Sequence, residues 1–210
     1  MEAYLIVCPL LFLAGFVDSI AGGGGLISLP AYLLAGLPPH LALGTNKFSS
    51  AMGTTISTVR FALNGFIPVR PALLCVTMAF IGSTIGSRLA LIVSEAVVKN
   101  LMIVVLPVVA FYVLRNKKLS SDAGMVESIP DKRSLLITGA AALFIGCYDG
   151  FYGPGTGTFL LLILTGAAKL GMRTSAGLTK ATNLASNVAA LLTFVLSAKV
   201  YYPLAIAGAV

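Results

Sequence analysis

The sequence comprises 210 residues, of which 58% are hydrophobic and only 10% are charged; the mean hydropathy is +0.98 and the net charge is +7. A water-soluble domain carries about 25% charged residues, because its core needs a polar surface. The basic residues are scattered between apolar runs rather than gathered on one face with aromatic neighbours, which argues against a nucleic-acid partner. Composition therefore predicts an integral membrane protein.

The chain begins with an apolar run that glycines interrupt. Residues 4–36 are long enough for two membrane passes of about 20 residues each, but a glycine-rich stretch divides them. Glu2 stands where a signal peptide would carry Lys or Arg, so we expect this run to be retained. Residues 41–63 contain more Ser, Thr, Asn and Gly and predict a further span. His40, which follows two prolines, is predicted to be a solvent-exposed loop residue.

Two clearly apolar spans follow, over 71–93 and 97–114, and they end at the hydrophilic segment 115–133. This segment predicts a loop that connects a first transmembrane repeat, 1–114, to a second, 134–210. Its five basic residues place it in the cytoplasm by the positive-inside rule. The sequence thus predicts a multi-pass protein of the cell membrane.

The second half repeats the pattern of the first. Residues 134–170 again predict two passes divided by glycines, and 175–198 predict a more polar span. Asp18 matches Asp149 at an offset of 149 − 18 = 131, and the Thr45-Asn46 pair matches 182–183 at 182 − 45 = 137. The turn at 37–42 has no fixed charge, whereas its counterpart at 169–173 is basic, which predicts halves of opposite orientation. The second half has fewer spans, so an incomplete repeat is predicted.

The two glycine runs are the first candidate binding elements. Glycines break a helix and free backbone N–H and C=O groups, which a bilayer tolerates only where they line a polar cavity or bond to protein. A short helix that begins at Gly25, or near Gly157, would direct its positive end and its N–H groups at an anion. The alternative is that the glycines only permit close helix packing. The predicted binding residues of the two runs are Gly22, Gly23, Gly24, Gly25, Gly153, Gly155 and Thr156.

Charged residues accompany both runs. A carboxylate inside an apolar segment costs about 2.5–3.5 kcal/mol on insertion scales, so it normally has a partner or a hydrated route. Asp18 and Asp149 are therefore predicted to cap the glycine turns, to couple transport to a proton, or to do both. Lys47 and Lys180 are the candidates for balancing the charge of an anion, although lysines near helix ends also extend to the membrane interface.

Polar residues recur at positions i, i+1, i+4 and i+5 in both Thr-Asn segments, which places them on one helical face. Such a face either lines a substrate pathway or forms hydrogen bonds with a neighbouring helix. The two faces comprise Thr45, Asn46, Ser49 and Ser50, and Thr182, Asn183, Ser186 and Asn187. The Thr and Asn residues at 45–46 and 182–183 are predicted to bind the substrate.

Motifs of enzymes are weak. The GPGTG sequence at 153–157 resembles a nucleotide loop, but no strand–helix unit surrounds it. His40 is the only histidine, so neither a zinc site nor a Ser–His pair is expected, and no metal or cofactor is predicted. An intramembrane aspartyl protease that uses Asp18 and Asp149 is the enzymatic alternative, although neither aspartate follows a Gly-x-Gly-Asp pattern.

Taken together, these motifs resemble the TauE/SafE family of sulfite and organosulfonate permeases. The resemblance rests on residues 15–25 with Pro30, on 43–47, on 82–88 and on 149–155, and it runs through nearly the whole chain. It implies a plasma-membrane carrier built from duplicated halves, with anionic sulfur compounds as substrates. The chain ends before the final spans of the family, and Pro154 and Thr156 depart from the glycines of the first run, so the two half-sites need not contribute equally.

The sequence therefore predicts an all-α integral membrane protein of two homologous, inverted halves with glycine-broken helices. The predicted function is a secondary transporter, not an enzyme, that moves a small anion such as sulfite or a sulfoacetate-like organosulfonate by alternating access. An anion-selective channel is an alternative, because it could use the same half-helix dipoles without a second conformation. The expected partners are this anion and the lipid bilayer, and a homo-oligomer is left open.

Overall fold

The computed structural model describes residues 2–21, 24–115 and 131–209, and no strand occurs in these ranges. The predicted all-α class is therefore confirmed, while most of the predicted connecting loop lies outside the described residues. The helices are α1 (Glu2–Ala21), α2 (Gly25–Leu34), α3 (Pro39–Leu63), α4 (Val69–Ile92), α5 (Glu95–Arg115), α6 (Lys132–Phe151), α7 (Thr156–Leu162), α8 (Met172–Leu196) and α9 (Tyr202–Ala207). A π-helical turn, Ile163–Ala167, continues α7.

Three of the described helices are long and apolar enough to cross a bilayer: α4, the Glu95–Tyr112 part of α5, and α6. Many of their large apolar side chains point away from the protein; Ile92 and Leu136, for example, are 80% and 76% exposed. Extended apolar surfaces of this kind are unfavourable in water but match lipid tails. The chain is therefore an all-α membrane protein.

Two helices are interrupted where the glycine runs predict a break. Residues 22–24 separate α1 from α2, and residues 152–155 separate α6 from α7. In the second interruption Gly153 and Gly155 have φ angles of +103° and +84°, a conformation that residues with a Cβ rarely adopt. Each break is followed by a short apolar helix, so the predicted helix–turn–short helix pattern is confirmed in both halves.

The more polar helices α3 and α8 pack against each other and contain 25 residues each. A glycine near the start of each helix contacts the backbone just beyond the end of the other helix. A Cβ on Gly44 would lie 1.9 Å from the carbonyl oxygen of Lys199, and one on Gly177 would lie 2.2 Å from that of Phe66. Because each start faces the opposite end, α3 and α8 run antiparallel.

Glycines also allow α4 and α6, from different halves, to approach closely. A Cβ on Gly86 would lie 1.9 Å from the carbonyl oxygen of Cys147, and one on Gly150 would lie 2.2 Å from that of Ser83. Small residues four positions apart permit such backbone contact between membrane helices. The interlocking residues are Gly82, Gly86, Gly146 and Gly150. This packing fixes the end of α6, which carries Asp149.

Buried apolar side chains form two clusters. One includes Tyr32 of α2 and Phe194 of α8, together with residues of α1, α3, α5 and α9. The other joins α4 and α6 to Leu164 of the π-helical turn and to Leu178 of α8. Helix α8 thus contributes to both clusters and connects them.

The prediction for His40 is wrong. Pro39 is the first residue of α3, so His40 lies in the first helical turn and is only 6% exposed. Its Nδ1 is 3.5 Å from Oε1 of Glu95, the first residue of α5. The two prolines indicated a loop, but a proline with its fixed φ is also well suited to the first position of a helix.

We expect Gly86→Ala to destabilise the protein by about 1–3 kcal/mol, because the added methyl group overlaps the backbone of α6 and forces the helices apart. The matched control is Gly53→Ala in α3, where a Cβ meets nothing within 4 Å. Both effects are measured by heating tagged protein in detergent and following the monodisperse fraction by fluorescence-detected gel filtration. The temperature at which half of this fraction is lost is the midpoint. Equal midpoints for the two variants would contradict the proposed packing.

Candidate functional site

A buried ion pair joins α3 to the end of α6. Lys47 Nζ lies 2.9 Å from Asp149 Oδ2, and only 2% and 6% of the two side chains are exposed. Lys47 also donates to Asn187 Oδ1 at 3.0 Å, while Asp149 accepts from Ser186 Oγ at 2.5 Å and from Thr156 Oγ1 at 2.9 Å. Each charge is thus paired and further hydrogen-bonded by protein, which is what a stable ion pair in apolar surroundings requires.

A second, looser pair joins α8 to the end of α1. Lys180 Nζ lies 3.6 Å from Asp18 Oδ2 and donates to the main-chain carbonyl of Asp18 at 3.2 Å. Asp18 Oδ1 accepts from the N–H of Gly24 at 3.2 Å, so the predicted capping of the glycine turn is confirmed for this aspartate. The Asp18 side chain is 35% exposed, compared with 10% for Lys180.

The two pairs are reciprocal, because each aspartate comes from the broken helix of one half and each lysine from the long helix of the other. Lys47 and Lys180 are 180 − 47 = 133 positions apart, as are the first residues of α3 and α8, 172 − 39 = 133. The sequence match of Thr45 with Thr182 has an offset of 137 positions. It differs from the structural offset of 133 by about one helical turn. Both lysines face protein carboxylates rather than the membrane interface.

A small polar cavity of about 40 Å³ lies where the two helix breaks meet. This volume is roughly three times that needed by one water molecule. The starts of both short helices line it through Gly25 and residues 156–157, which adds the partial positive charge and N–H groups of helix N-termini to the site. The rest of its lining is Asp18, Asn46, Lys47, Ser50, Thr54, Asp149, Gly153, Gly155, Asn183 and Asn187.

Asn183 presents a buried acceptor at this cavity. Its side chain is 7% exposed, and its Oδ1 has no hydrogen-bond partner among the described residues. Buried polar atoms in proteins are normally paired with protein or with water, so this unpaired amide oxygen is an exception among the residues that line the cavity. In the same ranges, no three His, Cys, Asp or Glu side chains come together as metal ligands.

A larger cavity of about 600 Å³ adjoins the small one and shares Asp18, Gly25, Asn46, Ser50 and Thr54 with it. Its volume lies in the range typical of small-molecule sites. Its walls are mostly apolar, with Leu11, Phe12, Phe16 and Ile56 among them, and Lys180 is its only described cation. We call these two spaces the polar cavity and the open cavity.

The predicted site residues are distributed unevenly between these spaces. Lys47, Asp149, Gly153, Gly155, Thr156 and Asn183 line the polar cavity, Gly24 and Lys180 line the open cavity, and Asp18, Gly25 and Asn46 line both. Thr45 and Thr182 line neither, because their hydroxyl groups donate to the carbonyls of Leu41 and Leu178 in their own helices. Gly22 and Gly23 lie outside the described residues.

Some residues at the site were not among the predicted substrate ligands. Ser50 and Thr54 continue the face of Asn46 by one and two further turns, and Asn187 continues that of Asn183. Ser50 and Asn187 belong to the polar faces that the sequence predicted, and a search at every fourth position would have added Thr54. Ser186 also belongs to such a face, and it takes the alternative role given there, because it donates to Asp149 of a neighbouring helix.

We expect Asp149→Asn to lower the free energy of unfolding by about 3–5 kcal/mol, because it leaves the Lys47 ammonium group buried without a counter-charge. Asp18→Asn should cost about 0–1 kcal/mol, since that pair is longer and partly exposed. Heating in detergent followed by gel filtration ranks the two variants.

The double variant Asp149→Asn/Lys47→Met is the control for this interpretation. It removes both charges while keeping side chains of similar length, so it should recover part of the lost stability. Equal midpoints for the two single variants, or a double variant less stable than Asp149→Asn alone, would show that the Lys47–Asp149 pair does not stabilise the fold in this way.

The comparison with known proteins agrees with this architecture. The model of a family described as "Sulfite exporter TauE/SafE" matches residues 7–210. "Probable membrane transporter protein ORF9" of Sinorhizobium sp. is 37% identical over 188 residues, which cover 90% of this chain and 70% of that protein. "Probable membrane transporter protein YfcA" of Escherichia coli K12 is 32% identical over 190 residues, or 90% of this chain and 69% of that protein. No solved structure matches the chain.

Relatives in other organisms carry similar names. A "Probable membrane transporter protein" of Haemophilus influenzae is 32% identical over 192 residues, which cover 91% of this chain and 73% of that protein. The family model and these relatives extend over nearly all of the present sequence, including both helix breaks and both long polar helices. These three relatives carry the name probable membrane transporter protein, and the chain belongs to the sulfite exporter TauE/SafE family.

Proposed function

We propose that the protein is a secondary transporter that moves a small sulfur oxyanion by alternating access through the polar cavity. The observation that carries this proposal is the meeting of two broken helices and two reciprocal ion pairs at one small polar space inside an apolar helical protein. Broken helices that meet at a polar site between two halves are the usual architecture of secondary transporters.

The polar cavity offers hydrogen-bond donors to an anion, but it has no excess of positive charge. Lys47, the amide groups of Asn46 and Asn183, and the N–H groups at the starts of the short helices are the donors available there. The two aspartates and two lysines of the site sum to zero when all four are ionised. An anion that enters alone would leave an uncompensated negative charge, which is costly at low dielectric.

Charge compensation therefore suggests a coupling mechanism. A proton taken up by one aspartate would restore neutrality when the anion binds, and it would free a lysine to face that anion. Asp18 is better suited to this role than Asp149, because it is partly exposed and accepts fewer hydrogen bonds. We propose that Asp18 couples anion movement to a proton, while Lys47 and Lys180 balance the charge of the bound anion.

The relation between the halves supports alternating access. α3 and α8 run antiparallel and occupy equivalent places, as the predicted inverted repeat requires. Each half supplies one aspartate and one lysine to the opposite half, so the two ion pairs lie at the contact across which a rocking motion of the halves would take place. We propose that this motion exposes the polar cavity to each side of the cell membrane in turn. In this proposal, segment 115–133 lies on the cytoplasmic side.

The size of the polar cavity and the family favour a compact sulfur oxyanion such as sulfite. The matched family is described as a sulfite exporter, and about 40 Å³ suits a few non-hydrogen atoms. A longer organosulfonate such as sulfoacetate would place its sulfonate group there and its carboxylate in the open cavity, where Lys180 is the only described cation.

The enzymatic alternative has less support. An aspartic protease needs two carboxylates that share one proton, whereas each aspartate here is paired with its own lysine. An anion channel would use the same donors, but it would not need an ion pair that closes the way between the two cavities. Its flux would not saturate at low anion concentration.

The test is sulfite flux into liposomes that contain the purified chain, with and without a pH gradient. We expect the wild type to show saturable flux driven by the gradient. In Asp18→Asn the flux should no longer depend on the gradient, and its rate should fall at least roughly tenfold, which corresponds to about 1.4 kcal/mol of free energy. Glu95→Gln is the matched control, because it removes a carboxylate that lines neither cavity.

Three outcomes separate the hypotheses. Flux that does not saturate and carries steady current would support the channel. Saturable flux that ignores the pH gradient in wild type and variant alike would reject proton coupling through Asp18. If monodisperse, reconstituted protein transported neither sulfite nor thiosulfate, sulfate or sulfoacetate, the proposed substrate class would be wrong.

A further inference from the structure

The two Asp–Lys pairs differ in how firmly they are held. The Lys47–Asp149 pair is the shorter by 3.6 − 2.9 = 0.7 Å. Three further hydrogen bonds support it: Asn187 accepts one from Lys47, and Ser186 and Thr156 each donate one to Asp149. Screening by water and salt weakens exposed ion pairs much more than buried ones. The partly exposed Asp18–Lys180 pair is therefore the one that can separate at little cost.

The pairs also differ in position. Lys47 and Asp149 line only the polar cavity, whereas Lys180 lines only the open cavity and Asp18 lines both. The other described residues shared by the two cavities are Gly25, Asn46, Ser50 and Thr54, all uncharged. The Asp18–Lys180 pair is thus the charged element at the boundary between the two spaces.

An anion that enters the open cavity meets this boundary in a defined order. Lys180 is the only described cation on the wall of that cavity, so it attracts the anion, while the carboxylate of Asp18 repels it from the passage beyond. Contact of the anion with the Lys180 ammonium group competes with the contact at 3.6 Å to Asp18 Oδ2. The same approach leaves the Lys47–Asp149 pair unaffected, because that pair lies behind the boundary.

We propose that the Asp18–Lys180 pair is a gate between the open cavity and the polar cavity, and that Lys180 is the residue that first receives the anion. The Lys47–Asp149 pair stays closed as a fixed link between the halves. The anionic occupant rests on the proposed function. The gate itself concerns access between two cavities, so it can be tested without any transported substrate.

Thiol accessibility tests the gate. In a background with Cys8→Ala, Cys75→Ala and Cys147→Ala, the substitution Asn183→Cys places one thiol at the polar cavity, where the amide oxygen has no partner to lose. The small neutral reagent methyl methanethiosulfonate reports access without a charge bias. We expect Asp18→Asn or Lys180→Gln to increase the rate of modification roughly tenfold, and Glu95→Gln, whose carboxylate lines neither cavity, to leave it unchanged within about twofold.

A thiol on the near side of the gate is the matched control. A protein that retains only Cys8, which lines the open cavity, should react with the neutral reagent at the same rate whether or not Asp18 is changed. The anionic reagent 2-sulfonatoethyl methanethiosulfonate is then applied to this same protein. Lys180→Gln should slow its reaction severalfold and leave the rate of the neutral reagent unchanged. That difference reports attraction of an anion by Lys180 and is independent of folding.

The outcomes are distinguishable. If Asp18→Asn and Lys180→Gln both leave the Asn183→Cys rate unchanged in monodisperse protein, or if Glu95→Gln increases it as much, the gate is wrong. If Lys180→Gln affects the two reagents equally, the assignment of Lys180 as the anion-receiving residue is wrong. Failure of sulfite flux with a responsive gate would reject the proposed substrate and leave the gate in place.

Discussion

Charges inside an apolar helical protein must be neutralised where they lie, and this requirement organises the molecule. Asp149 is the clearest case, because a lysine, a serine and a threonine all bind its carboxylate. The ammonium group of Lys47 would be equally unfavourable if it were alone. Since each of these groups depends on a residue of the other half, the ion pairs fix how the halves are arranged.

The close glycine packing serves this arrangement. A backbone contact such as that between Gly86 and Cys147 leaves α6 little freedom to shift, and the break after Phe151 then turns the chain back so that Thr156 reaches Asp149. The alternatives considered for the glycines, helix breaking and tight packing, are therefore both realised, but by different glycines. Those at positive φ break the helix, and those within α4 and α6 bring helices together.

Local pattern predicted the helices and their breaks well, because hydropathy and glycine content act over a few residues. It could not predict which lysine meets which aspartate: Lys180 and Asp18 are 162 positions apart, and periodicity carries no information at that distance. It also could not tell whether a hydroxyl such as that of Thr45 faces a cavity or bonds to its own helix, since both need the same residue type. The predicted repeat rested partly on the Thr-Asn match, and that match lies about one turn from the offset between α3 and α8.

The crosswise origin of the ion pairs has a consequence for biogenesis. Asp18 and Lys47 enter the membrane with the first half, whereas their partners, Lys180 and Asp149, are synthesised more than 100 residues later. Until then both groups need temporary counter-charges from water, lipid head groups or the insertion machinery. The nascent first half must therefore remain loosely packed and hydrated at its centre, and final compaction has to wait until α6 and α8 arrive.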